Sequence, residues 1–178
     1  PLAGGSNTIT VTIQSNVNLA QATHSSVVTI SGLTNAADAA SLALTSVANS
    51  GASLFSDGST QGVGALSSGT LTLTVHTAQT VLAGTQYAFS FTITNPSAEQ
   101  NAAAVSIEAT GTESFPIAAM IPPNAPLLGV VNGANPLVVV LPEFDVRKIG
   151  QSNPLAGGSN TITVTIQSNV NLAQATHS

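Results

Sequence analysis

Runs in which every second residue is apolar constrain the fold of this chain more than any other feature. In residues 7–14, Ile9, Val11 and Ile13 alternate with threonines, and residues 70–76 and 87–94 repeat the pattern. Successive side chains of a β-strand point to opposite faces, so each run predicts a strand with one buried face and one hydrated face. The β-branched composition of the runs suits such a pleated, half-buried surface.

Shorter runs of the same kind predict further strands, and turn residues separate them. These runs are residues 27–30, 42–47, 103–109, 115–119, 127–131 and 137–141. Short strands with frequent Gly, Asn, Asp and Pro between them predict an all-β fold, an Ig-like β-sandwich of about seven to nine strands. We interpret residues 35–46 as loop or strand entry, within an insertion over 35–68 that enlarges the domain.

A weak internal similarity relates two parts of the chain. Residues 8–13 lead through a Leu-Ala pair to 28–30, and residues 70–75, which start 62 positions later, lead through another Leu-Ala pair to 91–93. Pseudo-symmetric β-arches would produce this similarity. Chance in a chain rich in Thr and Val would also produce it.

The first 25 residues recur without a mismatch as residues 154–178, at an offset of 153. Ordinary divergence would have left differences, so we expect one full period of a tandem array followed by the start of the next. An engineered duplication that completes a fold is the alternative. A chain that copies one module end to end usually builds length, which indicates a fibre, a stalk or an adhesin shaft.

The densest charge in the chain lies just before the second copy, and Pro142 precedes it. We therefore predict one module over 1–141 and the start of the next over 142–178, with 143–149 as its first strand. The module that begins at Pro1 would lack this strand, and a neighbouring unit would supply it along the same polypeptide or by strand exchange between subunits. The predicted inter-module contact residues include the alternating apolar positions and the adjacent charges: Glu143, Phe144, Val146, Arg147, Lys148 and Ile149. Exposed ion pairs among these charges would contribute at most about 1 kcal/mol.

The charge balance excludes several classes of partner. The chain carries seven acidic residues and only two basic ones, Arg147 and Lys148, for a net charge of −5. Such a surface cannot follow a phosphate backbone or an anionic membrane surface, so we expect no nucleic acid partner. No stretch of 18 apolar residues is present, so we expect no membrane insertion. Its polarity comes from 21 Ser and 22 Thr, a composition typical of extracellular surfaces. These hydroxyls, and modified prolines, are candidate sites for O-linked glycans.

The residues give little support to catalysis or to cofactor binding. Ser25, His24 and Asp57 could be drawn as a triad, but the sequence has no nucleophile elbow, and we expect no catalytic residues. The acids are too scattered for a calcium site, and no glycine-rich phosphate loop is present, so we expect no metal and no cofactor. Phe55 is either an exposed anchor for a ligand or, as we prefer, part of a small core under its loop.

The segment from Pro116 to Pro126 is rich in proline. Three prolines between residues 122 and 126 impose an extended backbone, which suits either a cover over a sheet edge, a contact to the next subunit or a crossover.

Residues 82–96 and 105–109, with 149–157 and 160–164, resemble the Ser/Thr-rich Ig-like β-sandwich repeats of large extracellular fibre proteins. Such repeats occur in microbial adhesins and in giant secreted proteins of algae and other protists.

The resemblance implies an extracellular structural role, with copies of the chain itself as partners, and it transfers no active site. The sequence alone leaves two rival functions open. One is a ligand-binding or carbohydrate-binding adhesin module, and the other is an accessory domain of an enzyme. An exposed row of aromatic residues or a calcium site would favour the first rival.

Overall fold

The computed structural model describes residues 2–21, 25–111, 113–123 and 125–172. The described chain is almost entirely β, with one short 3-10 helix at Gly51–Leu54, and the all-β prediction is confirmed. The strands are β1 (Ser6–Gln14), β2 (Leu19–Ala20), β3 (Val27–Ser31), β4 (Ala39–Ala48), β5 (Phe55–Ser56), β6 (Val63–Ser67), β7 (Thr70–Val75), β8 (Thr80–Val81), β9 (Gln86–Thr94), β10 (Ser106–Thr110), β11 (Phe115–Ala119), β12 (Phe144–Gln151) and β13 (Ile162–Ser168).

One curled antiparallel sheet forms most of the fold. Its strand order is β1-β9-β4-β6-β7-β3-β10-β11, and β5 pairs with β7 beside β6. β2 and β8 form a separate two-stranded ladder, and β12 and β13 form a hairpin of their own. The curl brings the apolar faces of β1, β3, β7, β9 and β10 around one core, which gives a sandwich-like architecture.

The alternating runs place their apolar residues in this core. Leu71, Leu73 and Phe89 are fully buried, and the threonines that alternate with the two leucines lie on the half-buried outer face. Phe55 is also fully buried and meets Phe89 edge to face, with ring centroids 5.5 Å apart. The alternative that Phe55 is an exposed anchor is therefore wrong, and the loop that carries it covers part of the main core.

Several strand predictions need correction. Residues 35–68 are part of the sheet rather than an insertion, since β4 and β6 connect its two halves. Residues 127–131 and 137–141 make isolated bridges instead of strands, because Leu128 and Leu137 adopt positive φ angles of 54° and 58° that interrupt an extended chain. Of the proline-rich segment over 116–126, residues 116–119 lie in β11, which pairs with one edge of β10, and Pro122, Pro123 and Pro126 lie outside the strands.

The weak internal similarity corresponds to matched strand pairings. β1 pairs with β9, and β7, the counterpart of β1, pairs with β3, the counterpart of β9. The intervening strands β2 and β8 pair with each other. The next strands outward also match, because β4 lies beside β9 as β10 lies beside β3. The pairings are those of a pseudo-two-fold arrangement, which supports β-arches over chance.

The duplicated segment provides a stability test with an internal control. Leu19 is 3% exposed, whereas Leu172, the same residue in the second copy, is 70% exposed. We expect Leu19→Ala to lower the free energy of unfolding by about 2–5 kcal/mol, because it leaves a cavity in the core. Leu172→Ala should cost less than about 0.5 kcal/mol. Urea unfolding of both variants measures the difference, and equal losses would contradict these two environments.

Candidate interface between repeats

The two ends of the curled sheet face each other across an open groove. Val11, Leu19 and Phe91 line it from the β1 side, and Ile107 and Phe115 line it from the β10 and β11 side. The cavity has a volume of about 1070 Å³ and a mainly apolar wall. The side-chain Oδ1 of Asn135, which also lines it, is buried and has no hydrogen-bond partner among the described residues. The groove therefore offers apolar surface, and an unpaired acceptor lies buried in its wall.

The hydrogen bonds at both ends of β1 show which backbone groups point to its partner. The amide of Asn95 donates to the carbonyl of Gly5 over 2.9 Å, and the amide of Gly84 donates to the carbonyl of Ser15 over 2.7 Å. Backbone groups of an antiparallel strand alternate between its two edges, so the odd-numbered residues of β1 face β9. The N–H and C=O groups of Thr8, Thr10 and Thr12 point to the opposite edge, where no described strand pairs with them.

The second copy of the same strand lies in a different environment. Val11 in β1 is 4% exposed, and its copy Val164 in β13 is 61% exposed. Ile162 and Ile166 are also exposed, whereas their counterparts in β1 pack against the core. β13 therefore presents to solvent the apolar face that β1 buries.

β13 pairs with β12 through the edge that β1 leaves unpaired. The amide of Ser152 donates to the carbonyl of Thr161 over 3.0 Å, and the amide of Asn169 donates to the carbonyl of Glu143 over 3.1 Å. These bonds assign the odd-numbered residues of β13 to β12. Because the offset between the copies is 153, these residues correspond to Thr8, Thr10, Thr12 and Gln14 in β1.

The predicted contact residues lie in β12 and at its start, outside the core of described buried residues. Phe144 pairs with Ser168 and Val146 with Gln167, so a register shift at Asp145 places Phe144 and Val146 on opposite faces. The simple alternation expected for these two residues is wrong for that reason. The shift places Phe144 and Ile149 on the same face of the hairpin as the apolar side chains of β13. Phe144 is 40% exposed and Ile149 is 78% exposed.

The charged members of the predicted set also divide between the two faces of the hairpin. Arg147 lies opposite Ile166 on the apolar face, and Lys148 lies opposite Thr165 on the other face. Both side chains are exposed, as is Glu143, whose amide donates to Asn169 Oδ1 over 3.0 Å. The set forms a mainly exposed strip of one hairpin, and the structure brings none of it into the groove of the same chain.

The base of the hairpin is attached to the first module. Val170 is buried, and the amide of Asn171 donates to the carbonyl of Leu128 over 2.9 Å. The side chain of Asn169 donates to the carbonyl of Leu141 over 2.8 Å. These contacts fix the second copy against the last part of the first module.

The structure describes two residues of the candidate triad, Asp57 and Ser25. Asp57 accepts hydrogen bonds from the amides of Thr60 and Ser59 at 2.9 and 3.0 Å, and these bonds lower the pKa of its carboxyl group. This is the geometry of a residue that closes its own turn. Ser25 receives a 3.4 Å hydrogen bond from Gln21, and His24 lies outside the described residues. Within the described ranges, no three His, Cys, Asp or Glu residues are grouped as metal ligands would be.

Comparisons with known proteins identify no relative. No family model matches the chain, and neither a curated protein nor a solved structure matches it significantly. The described part of the chain contains no helix that is long and apolar enough to cross a membrane. The case for a function therefore rests on the duplicated strand and on the groove.

Proposed function

We propose that this chain is a structural repeat module of an extracellular filament or adhesin shaft, assembled head to tail from copies of itself. The observation that carries the proposal is the duplicated strand, which is buried against a core as β1 and left with an exposed apolar face as β13. A stable apolar face requires cover, and the first copy shows what covers it. The second copy would gain the same cover from the rest of its own module.

The attachment of the hairpin suits a head-to-tail array. Val170 and Asn171, which follow β13, hold the second copy against loops of the first module. Neighbouring modules in such an array would share a packed junction instead of a free linker. A packed junction restricts bending, which is the mechanical property that a shaft needs.

The outer faces of the sheet suit an extracellular surface that is polar without charge. Threonine and serine side chains lie side by side there, as in the 3.2 Å pair between the hydroxyls of Thr8 and Thr92. These rows are our candidate sites for O-linked glycans. The burial of Phe55 removes the aromatic anchor that a carbohydrate-binding function would have used.

Electron microscopy of lengthened arrays tests the proposed function. Proteins of two, four and eight periods, each ending in the present residues 154–178, should form rods whose length rises in proportion to the number of periods. The increment per period should be constant, because each junction repeats the same contacts. Flexible beads without a constant spacing, or compact particles, would contradict a shaft.

A further inference from the structure

We propose that the strand Phe144–Gln151, which precedes each repeat in the same polypeptide, inserts along the outer edge of β1 of that repeat and closes the groove. The inference rests on the proposed tandem array and names the contact that completes each module. Its occupant is one segment, supplied by the preceding period of the chain.

β1 and β13 lie in two copies of the same sequence, but each pairs with its partner strand through the opposite edge. β1 pairs with β9 through its odd-numbered residues, and β13 pairs with β12 through the residues that correspond to the even-numbered ones of β1. The two pairings do not compete for any backbone group. A strand of this sequence can therefore lie between both partners at once, and a complete module would have the order β12-β1-β9-β4.

The pseudo-two-fold arrangement supports the same pairing, and it does not involve the second copy at all. The amide of Val75 in β7 donates to Ser26 on the β3 side, and the amide of His76 donates to Leu54 on the side of β5 and β6. β7 is thus paired on both edges, by β3 and by β6. Among the described strands, its counterpart β1 is paired only by β9, so the position equivalent to β6 is the unpaired edge of β1.

β6, which pairs with the outer edge of β7, is connected to β7 by a hairpin, as β12 is connected to β13. β6 is joined to β7 by a tight turn at Ser68 and Gly69, which have φ angles of 50° and 74°. β12 is joined to β13 by residues 152–161, of which 152 and 153 precede the second copy and 154–161 belong to it. In both cases the strand that precedes the alternating Thr run folds back on its outer edge. The two hairpins therefore have equivalent topology.

The register of the hairpin predicts which residues enter the groove. Subtracting the offset of 153 places Ile149 opposite Val11 and Gln151 opposite Ile9, on the face that points to the core. Phe144 lies opposite Ser15 on the same face. The groove beside Val11 is mainly apolar and has the volume to receive the side chains of Phe144 and Ile149. Arg147 can cover part of this surface with its methylene groups while its guanidinium stays in water.

The source of the strand is the same polypeptide because the hairpin is local. Only ten residues, 152–161, separate β12 from β13, so the pairing closes a short loop at low entropic cost. Strand exchange between separate chains would first have to break β12 from β13.

The experiment adds one copy of residues 142–153 in front of Pro1 of the full chain and compares backbone amide exchange with the unextended protein. In the unextended chain, the amides of Thr8, Thr10 and Thr12 should exchange quickly, and those of Ile9 and Val11 should be protected. The extension should slow exchange at the three threonines at least about 100-fold and raise the melting temperature. Unchanged exchange at these amides would overturn the proposal.

Matched substitutions in the added copy test the register. Ile149→Asp should abolish the protection, because it places a carboxylate in the apolar groove, whereas Lys148→Asp on the outer face should retain it. Equal effects of the two would overturn the register. Protection of the unextended chain that rises with its concentration would assign the strand to another molecule and overturn the covalent source. Rod-like arrays in which the outer-edge amides of β1 exchange rapidly would refute the strand insertion but not the proposed shaft. Arrays that form no rods but protect these amides would refute the shaft but not the strand insertion.

Discussion

Replacement of Phe89 by Ala is expected to lower the free energy of unfolding by about 3–5 kcal/mol. Phe89 is fully buried in β9, between β1 and β4, and its ring meets Phe55 edge to face at 5.5 Å. Removing the ring leaves a cavity and also removes the aromatic contact. Because β9 joins β1 to the rest of the sheet, the loss should be felt by the whole fold.

Urea unfolding followed by circular dichroism measures this effect, and Phe144 supplies the matched control. Phe144 lies on the hairpin and is partly exposed, so Phe144→Ala should cost less than about 1 kcal/mol in the unextended chain. A loss at Phe144 equal to that at Phe89 would mean that the hairpin side chain belongs to the core. The burial described for these two rings would then be wrong.

Replacement of Gly32 by Ala should destabilise the fold by at least about 3 kcal/mol. Gly32 has a φ of +92°, and a Cβ there would lie 2.2 Å from the carbonyl oxygen of Ala104. Both atoms of that clash are fixed to the backbone, so no side-chain movement can relieve it. The substitution would have to push apart the ends of β3 and the segment before β10.

Gly150 provides the control for this prediction, since a Cβ at Gly150 meets nothing within 4 Å. Gly150→Ala should leave the unfolding midpoint nearly unchanged, because β12 is an extended strand that accepts a methyl group. Thermal unfolding of both variants compares them directly. A Gly32→Ala protein that unfolds at the temperature of the parent chain would contradict the close approach of these two segments.

Local sequence pattern was enough to predict the fold class and the strongest strands. The alternation of Ile9, Val11 and Ile13 with threonine matches β1, and the runs at 70–76 and 87–94 match β7 and β9. β1 and β7 were predictable because each has one face toward the core and a more exposed second face, and alternation reports that situation directly. β9 alternates in sequence although Ala88 and Ser90 on its second face are also buried.

The strands that were missed or misplaced depend on context that local pattern does not carry. β6 contains Gly64 and Ala65 and has no strong alternation, yet it pairs with β7 through a tight hairpin. Leu137 and Val139 are fully buried, but the chain there is irregular because Leu137 has a positive φ. The register shift at Asp145 could not be read from the sequence either, since it depends on the pairing with β13.

The candidate interface was only partly predictable. The exact duplication indicated an array, and the apolar and charged residues before the second copy indicated a strand there. The sequence predicted that the first module lacks a strand, but the groove and the edge of β1 that this strand would occupy could not be deduced, because they arise from the curl of a sheet whose ends are far apart in sequence. The weak similarity between residues 8–13 and 70–75 did not by itself distinguish β-arches from chance, and only the observed pairings relate the free edge of β1 to the paired edge of β7.

A high-resolution cryo-electron microscopy map of an array of at least three periods would test most directly whether a neighbouring segment completes each module. The predicted map shows a continuous strand of residues 144–151 along the outer edge of the following β1, with Ile149 beside the residue equivalent to Val11. A map in which that edge stays bare, or in which a different segment covers it, would contradict the proposed closure of the groove.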